Sequence, residues 1–283
     1  MVTQSRGFAG SRFDPDKMLK MDAITSRQNP IVRRFREAAD SPGDHLLLDG
    51  AHLIEEALAA SVPIELIAVD DAARGDVRAL AGRVEASGAR LVSVTSSLLN
   101  AMSPVRQPSG IVAIGRRREQ TLDDVLREAP QMVLMLEEVQ DPGNVGAIVR
   151  AAEACGATGV VAGDASADPF GWKALRGSMG SAFRVPIAAR QSLSDAARTA
   201  RERGIRVLAA VPRDGIALPQ SDLRGPLAVL LGGEGAGLSD ALVALASVRL
   251  TIPMRPPVES LNVATAAALI AYEARRQRTS VPS

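Results

Sequence analysis

Between residues 132 and 276 the chain alternates short runs of branched apolar residues with segments of helical periodicity. That alternation is its strongest constraint. The pattern predicts strands at 132–136, 159–161, 185–187, 205–211, 227–231 and 248–252. It predicts helices at 145–155, 172–179, 193–203, 238–246 and 263–276. Strands this uniformly apolar leave no face for water, so helices must cover both sides of a mostly parallel sheet. Ligands of such sheets collect in the loops beyond the carboxyl ends of the strands.

Ahead of this region, residues 22–115 read as a separate α/β domain. Strands are expected at 45–49, 64–69, 90–94 and 111–114, and helices at 30–39 and 51–60. Residues 1–21 lack apolar periodicity and read as a flexible basic tail. Residues 116–130 read as a linker with a short helical piece at 122–129, and residues 131–283 as the second domain. No internal repeat is visible.

Composition excludes several functions. Aromatic residues make up 2% of the chain, so no stacking platform for single-stranded bases is apparent and the cores must be aliphatic. A single cysteine (Cys155) and two histidines (His45 and His52) leave no disulfide framework and no metal cluster. Without a long apolar run or a signal-peptide core, a cytoplasmic protein is expected. Net charge is only +1, but residues 1–36 hold eight basic and three acidic side chains. Arg116, Arg117 and Arg118 form a second basic cluster. Such clusters suit nucleic acid, or are simply solvated surface.

Three loops of the second domain each follow an apolar strand and precede a helix. The first, residues 137–150, reads EEVQDPGNVGAIVR: turn residues, then Asn144 placed to cap a helix, then Arg150 in an apolar segment. A capped helix with a snorkelling arginine would look the same. The second, residues 231–239, reads LGGEGAGLS, where glycines around Glu234 permit backbone to approach a ligand closely. Its spacing is near a dinucleotide fingerprint. However, it lies late in the domain, and Met254 and Arg255 stand where the ribose-binding acid belongs. The third, residues 252–264, reads IPMRPPVESLNVA, with three prolines stiffening the loop and Ser260 and Asn262 opening a helix. A helix needs one cap, so the additional polar groups suggest the lining of a site.

In this order and near this spacing, NVGAIVRAAEACG, LLGGEGAGLS and IPMRPPVESLNVATAAALIAYE resemble the three motifs of the SpoU (TrmH-type) RNA ribose methyltransferases of the SPOUT superfamily. The segment KALRGSMG (173–180) also resembles a family segment. The first domain is similar to the L30e-like substrate-binding domain that often accompanies these enzymes. SRQNPIVRRF, LLLDGAHLIEEAL and PSGIVAI carry that likeness, with Asp49 standing where relatives often have Glu.

The resemblance implies an α/β fold: an L30e-like domain, then a SPOUT domain with a mostly parallel sheet and a C-terminal trefoil knot. It implies methyl transfer from S-adenosylmethionine to a ribose 2′-hydroxyl, in ribosomal RNA before transfer RNA. A non-catalytic RNA-binding module is the alternative. It implies a homodimer and no metal. By motif matching, Asn144, Arg150, Glu234, Ser260 and Asn262 face the reacting ribose. Ala209, Ala210, Leu231, Gly232, Gly233, Gly235, Ile252, Met254 and Leu261 hold the cofactor. Arg27, Asn29, Arg33, Arg34 and Arg106 are the implied RNA contacts. A guanidinium stays protonated, so Arg150 is expected to clamp phosphate and stabilise alkoxide charge. Glu234 either accepts the proton or orients Arg150.

Overall fold

The computed structural model describes residues 22–40, 43–127 and 132–279; the basic tail expected at 1–21 and the end of the expected linker lie outside them. Two sheets organise the chain. The first has the order β1-β4-β3-β5-β2, from β1 (Asp22–Ile24), β2 (His45–Asp49), β3 (Ile64–Asp70), β4 (Arg90–Val94) and β5 (Ile111–Arg116). Strands β1, β4 and β3 run parallel, whereas β5 is antiparallel to β3 and to β2. Alternate residues of these strands enter different cores, as the two-residue period of a strand requires. Leu47, Leu66, Val92 and Val112 meet α1 (Pro30–Asp40) and α4 (Ser96–Met102) on one face. Leu46, Leu48, Ile67 and Ala113 meet α2 (Ala51–Ala59) and α3 (Asp76–Ala86) on the other.

The second sheet has seven strands in the order β10-β12-β9-β11-β6-β7-β8, every pairing parallel. They are β6 (Met132–Glu137), β7 (Gly159–Gly163), β8 (Ile187–Gln191), β9 (Arg206–Ala210), β10 (Ile216–Ala217), β11 (Leu227–Gly232) and β12 (Val248–Thr251). Val133, Met135, Val161, Val207 and Leu230 pack with α5 (Leu122–Leu126), α8 (Leu193–Glu202) and α9 (Asp240–Leu245). Met132, Leu134, Leu136, Val229 and Leu231 pack on the opposite face with α6 (Pro142–Ala154), α7 (Trp172–Ser178) and α10 (Val263–Thr279). The expected doubly covered parallel sheet is therefore present.

Two boundaries differ from the sequence pattern for physical reasons. The first concerns α6, which begins at Pro142 instead of residue 145 because Asp141, not Asn144, is its cap: the Asp141 carboxylate accepts from the Asn144 N–H at 2.9 Å. Proline at the first helical position has no N–H to lose and is preset for the helix. The second is β8, which starts at Ile187 although the apolar run begins at Val185. Val185 is buried, but burial is not ladder pairing, and Pro186 contributes only its carbonyl, to the Val160 N–H.

The two halves share one continuous apolar cluster, in which Leu53 and Ile54 of α2 join Leu175 of α7 and Ile148 of α6. Trp172 of α7 packs against the other core of the first half. Polar ties reinforce the join. Arg184 reaches both Glu56 of α2 and Glu153 of α6. These bonds hold the Glu153 carboxyl below its usual range, against a smaller opposing effect of burial. Arg117, just past β5, lies 3.6 Å from Asp168 and stacks over the Phe170 ring at 4.2 Å. Arg116 binds Glu65. Two members of the basic cluster at 116–118 thus take part in intramolecular pairing.

Candidate active site

The carboxyl ends of β9, β11 and β12 and the start of α10 enclose a cavity of about 470 Å3. That lies within the usual range for small-molecule sites, roughly 300–1,000 Å3. Its wall at residues 232–238 is a tight reversal, with Gly233 bridged to Gly237 and the Ser239 N–H donating to the Glu137 carboxylate at 2.7 Å. Side chains are sterically barred at Gly232 and Gly233. A Cβ at Gly232 would lie 2.1 Å from the Gly237 carbonyl carbon, and one at Gly233 would lie 2.0 Å from the Glu138 carbonyl oxygen. At these two positions the wall is backbone, whose N–H and C=O groups read a ligand without side-chain bulk.

Most of the expected cofactor residues line this cavity: Ala210, Leu231, Gly232, Gly233, Gly235, Ile252, Met254 and Leu261. Ala209 does not; it is fully buried within β9, and its neighbour Ala210 reaches the cavity because adjacent strand residues face opposite ways. Apolar positions that the motifs did not single out complete the lining, among them Val211, Leu250 and Ile270. Their only signal in the sequence was apolar character, near the strand ends for Val211 and Leu250 and on α10 for Ile270.

Glu234, Ser260 and Asn262 line the cavity as well. Asn262 caps α10, its side-chain oxygen accepting from the Ala264 and Thr265 N–H groups at 2.9 and 3.2 Å. That capping fixes which way the amide faces, so its NH2 donates to the Asn144 oxygen at 3.1 Å. The Asn144 amide is then oriented in turn, and its own NH2 donates to the Glu234 carboxylate. A directed chain of three side chains thus presents an acceptor carboxylate at the cavity wall. The sequence separations, 118 and 90 residues, hid this chain from any local pattern.

Arg150 is placed differently. It is exposed on α6 and absent from the cavity lining. Six residues along a helix amount to roughly 120° of rotation and about 9 Å of rise from Asn144. Within one chain Glu234 is bonded to Asn144, which leaves the Arg150-orienting role without a contact to support it.

The expected RNA residues lie on the first half. Asn29 serves α1, its side chain accepting from the Ile31 N–H at 2.9 Å. Arg34 pairs with Glu65 at 3.1 Å, Arg33 with Glu37 at 3.4 Å, and Arg27 donates to Ser97 at 3.2 Å. Arg106 is exposed in the loop before β5. Among the described residues no group of His, Cys, Asp and Glu is suited to a metal ion, and no helix is long and apolar enough to cross a membrane.

Residues 131–272 match the SpoU rRNA methylase family, and residues 32–113 match an MRM3-like substrate binding domain. The chain belongs to the SpoU rRNA methylase family. It is 33% identical to the 23S rRNA (guanosine(2553)-2′-O)-methyltransferase RlmP of Bacillus subtilis over 90% of this chain and 100% of that one. An uncharacterized tRNA/rRNA methyltransferase of Synechocystis is 35% identical over 90% of this chain and 94% of its own. In structure it is similar to the S-adenosylmethionine-bound rRNA methyltransferase of Sinorhizobium meliloti, with a TM-score of 0.81 and 28% identity over 93% of this chain and 99% of that one. The cofactor-bound SpoU methyltransferase AviRb of Streptomyces viridochromogenes superposes with a TM-score of 0.78, at 27% identity over 90% of this chain and 100% of its own. The SpoU chain described here is accordingly an S-adenosylmethionine-dependent RNA ribose 2′-O-methyltransferase, and its backbone-walled cavity fits that cofactor.

Proposed function

We propose that the enzyme methylates a ribose in ribosomal RNA, in the cytoplasm and as a homodimer, with residues 22–115 holding the RNA and residues 131–283 performing the transfer. The observation that carries this reading is the Asn262–Asn144–Glu234 chain at the wall of a cavity built from glycine backbone. The relatives named for 23S rRNA support the choice of RNA.

S-adenosylmethionine supplies a methyl group already activated by its sulfonium. The protein's own task is to align a ribose hydroxyl and to manage its proton. Glu234 is the acceptor for that proton or for the hydroxyl hydrogen bond, held in place by Asn144. Ser260, which also lines the cavity, offers a hydroxyl to the sugar. Arg150, permanently charged, clamps the adjacent phosphate and stabilises developing charge on oxygen. Its distance from the cavity within one chain favours delivery by a second copy. Leu269 and Tyr272, exposed on α10 beside α6, provide apolar surface for such a contact. The knotted C-terminal segment implied by the family likeness belongs to the same reading, with the loop at 252–262 facing the glycine wall across the cavity.

The test is complementation. Arg150→Ala and Glu234→Ala, each inactive alone in methyl transfer from labelled S-adenosylmethionine to 23S rRNA, are expected to regain part of the wild-type rate when mixed and allowed to exchange subunits. Nuclease digestion and mass analysis should place the label on ribose. No recovery on mixing would sink the shared site. Label confined to transfer RNA would reassign the substrate.

A further inference from the structure

The segment 173–180 has no part in the cavity, yet its cations are placed for a purpose. Trp172, the chain's only tryptophan, anchors the start of α7 against the core of the first half. Lys173 and Arg176, one helical turn apart, stay exposed while Ala174, Leu175 and Ser178 are buried. Among the described residues neither cation forms an ion pair within hydrogen-bonding reach. The Lys173 ammonium only overlies the Trp172 ring, at 5.4 Å, whereas most arginines elsewhere on the surface are held by carboxylates.

Two further observations fix where this face points. Arg176 lies close enough to Asp49, at the end of β2, to act on its titration. Asp49 accepts from the Ser103 hydroxyl, and the same Ser103 oxygen accepts the Val105 N–H at 3.0 Å. That arrangement anchors the loop on which Arg106 stands exposed, with no hydrogen bond or ion pair among the described residues. Burial pushes the Asp49 carboxyl above its usual range, against smaller opposing effects of the Ser103 hydrogen bond and the Arg176 charge. On its other side α7 abuts the first turn of α6. A Cβ at Gly177 would lie 3.3 Å from the carbonyl oxygen of Gly143, the residue before Asn144.

We propose that Lys173 and Arg176, with Arg106 across the junction, form a phosphate-binding seam that carries the RNA strand from the first half of the chain to the cavity. The proposal rests on the RNA methylation reading and adds the path the substrate takes. Flexible lysine and planar arginine are both suited to phosphate, and their contacts position a strand without reading its bases.

Binding of in vitro transcribed 23S rRNA is followed by Trp172 fluorescence and by filter retention, across a salt series. Each phosphate contact contributes roughly 0.7–0.9 to the slope of log affinity against log salt. The double variant Lys173→Ala/Arg176→Ala is expected to bind at least about tenfold more weakly, with a slope shallower by about 1.4–1.8. S-adenosylmethionine affinity and thermal midpoint should stay at wild-type values. The charge-keeping pair Lys173→Arg/Arg176→Lys should restore the slope. Arg198→Ala, on the opposite face of the sheet and paired with Asp195, should leave it unchanged. An unchanged slope in the double variant overturns the seam, as does weaker RNA binding accompanied by loss of cofactor affinity and a lower midpoint. A wild-type protein that binds cofactor but no RNA overturns the RNA reading itself, and the seam with it.

Discussion

Asn262 has two jobs that a substitution can separate. Its oxygen caps α10 and its amide orients Asn144, which orients Glu234. Asn262→Ala removes both, at a cost of about 1 kcal/mol of stability for the lost cap. Asn262→Asp keeps a capping oxygen, and its negative charge suits a helix N-terminus. It replaces the donor with a second acceptor, however. The Asn144 amide would then turn its NH2 to the new carboxylate and its oxygen to Glu234, setting two acceptors against each other. The expected outcome for Asn262→Asp is a thermal midpoint close to wild type with single-turnover methyl transfer slowed on the order of tenfold, about 1.4 kcal/mol of barrier. Equal rates for Asn262→Asp and wild type would show that the orientation of Asn144 is irrelevant to the reaction.

At the scale of elements, legibility followed the strength of the pattern. The strands of the second sheet were readable because a buried parallel strand is apolar along its whole length, and β6 and β11 each bury five consecutive residues. Helices α3 and α4 and strands β1 and β10 were not foreseen. Helix α3 has Gly75 as its N-cap and so no side-chain cap, α4 has seven residues, and the two strands have three and two. The loops of the candidate site were visible because turn residues and stray polar groups interrupt apolar runs. Their mutual bonding was not, because it joins residues distant in sequence.

Helix α10 shows the same division. Its apolar face was legible, whereas its fastening was not: Gln277 accepts from the Leu223 N–H at 2.8 Å and donates to the Ser221 carbonyl and the Glu273 carboxylate, both at 2.9 Å. Hydrogen bonds from Arg276 and then Gln277 lower the Glu273 carboxyl from 4.5 to about 2, against a smaller opposing effect of burial. A depressed carboxyl pKa stabilises the folded form above the ordinary carboxyl range, and that contribution disappears as pH falls from about 4.5 through about 2. Carbon-detected NMR titration should find the Glu273 midpoint near the lower value. Arg276→Ala should raise it more than Gln277→Ala does. A wild-type midpoint in the ordinary glutamate range would remove this contribution.

Across the whole molecule, the relation between the two halves depends on how firmly the junction is fixed. Apolar continuity supplies most of the adhesion, but it is tolerant of small slips, whereas the Arg117–Asp168 pair ties one position of each half to the other by charge at 3.6 Å. Arg117 and Asp168 keep only 12% and 17% of their side-chain surface, and Arg190 approaches the same carboxylate at 3.5 Å. Removing the carboxylate by Asp168→Ala would leave a nearly buried guanidinium without its counter-charge. The expected loss is about 2–3 kcal/mol, below the usual range for fully buried pairs because some water access remains. Replacing both partners should behave differently. Arg117→Met/Asp168→Leu keeps volume, keeps an apolar side chain over Phe170 and strands no buried charge, since Arg190 is mostly exposed, so its stability should return to within about 1 kcal/mol of wild type. If the pair sets the angle between the halves as well as holding them together, the double variant will be stable yet poorer at binding RNA, with cofactor affinity unchanged. Chemical denaturation paired with RNA and cofactor titrations separates these outcomes. A double variant that is both stable and fully competent for RNA would assign the junction's geometry to its apolar contacts alone.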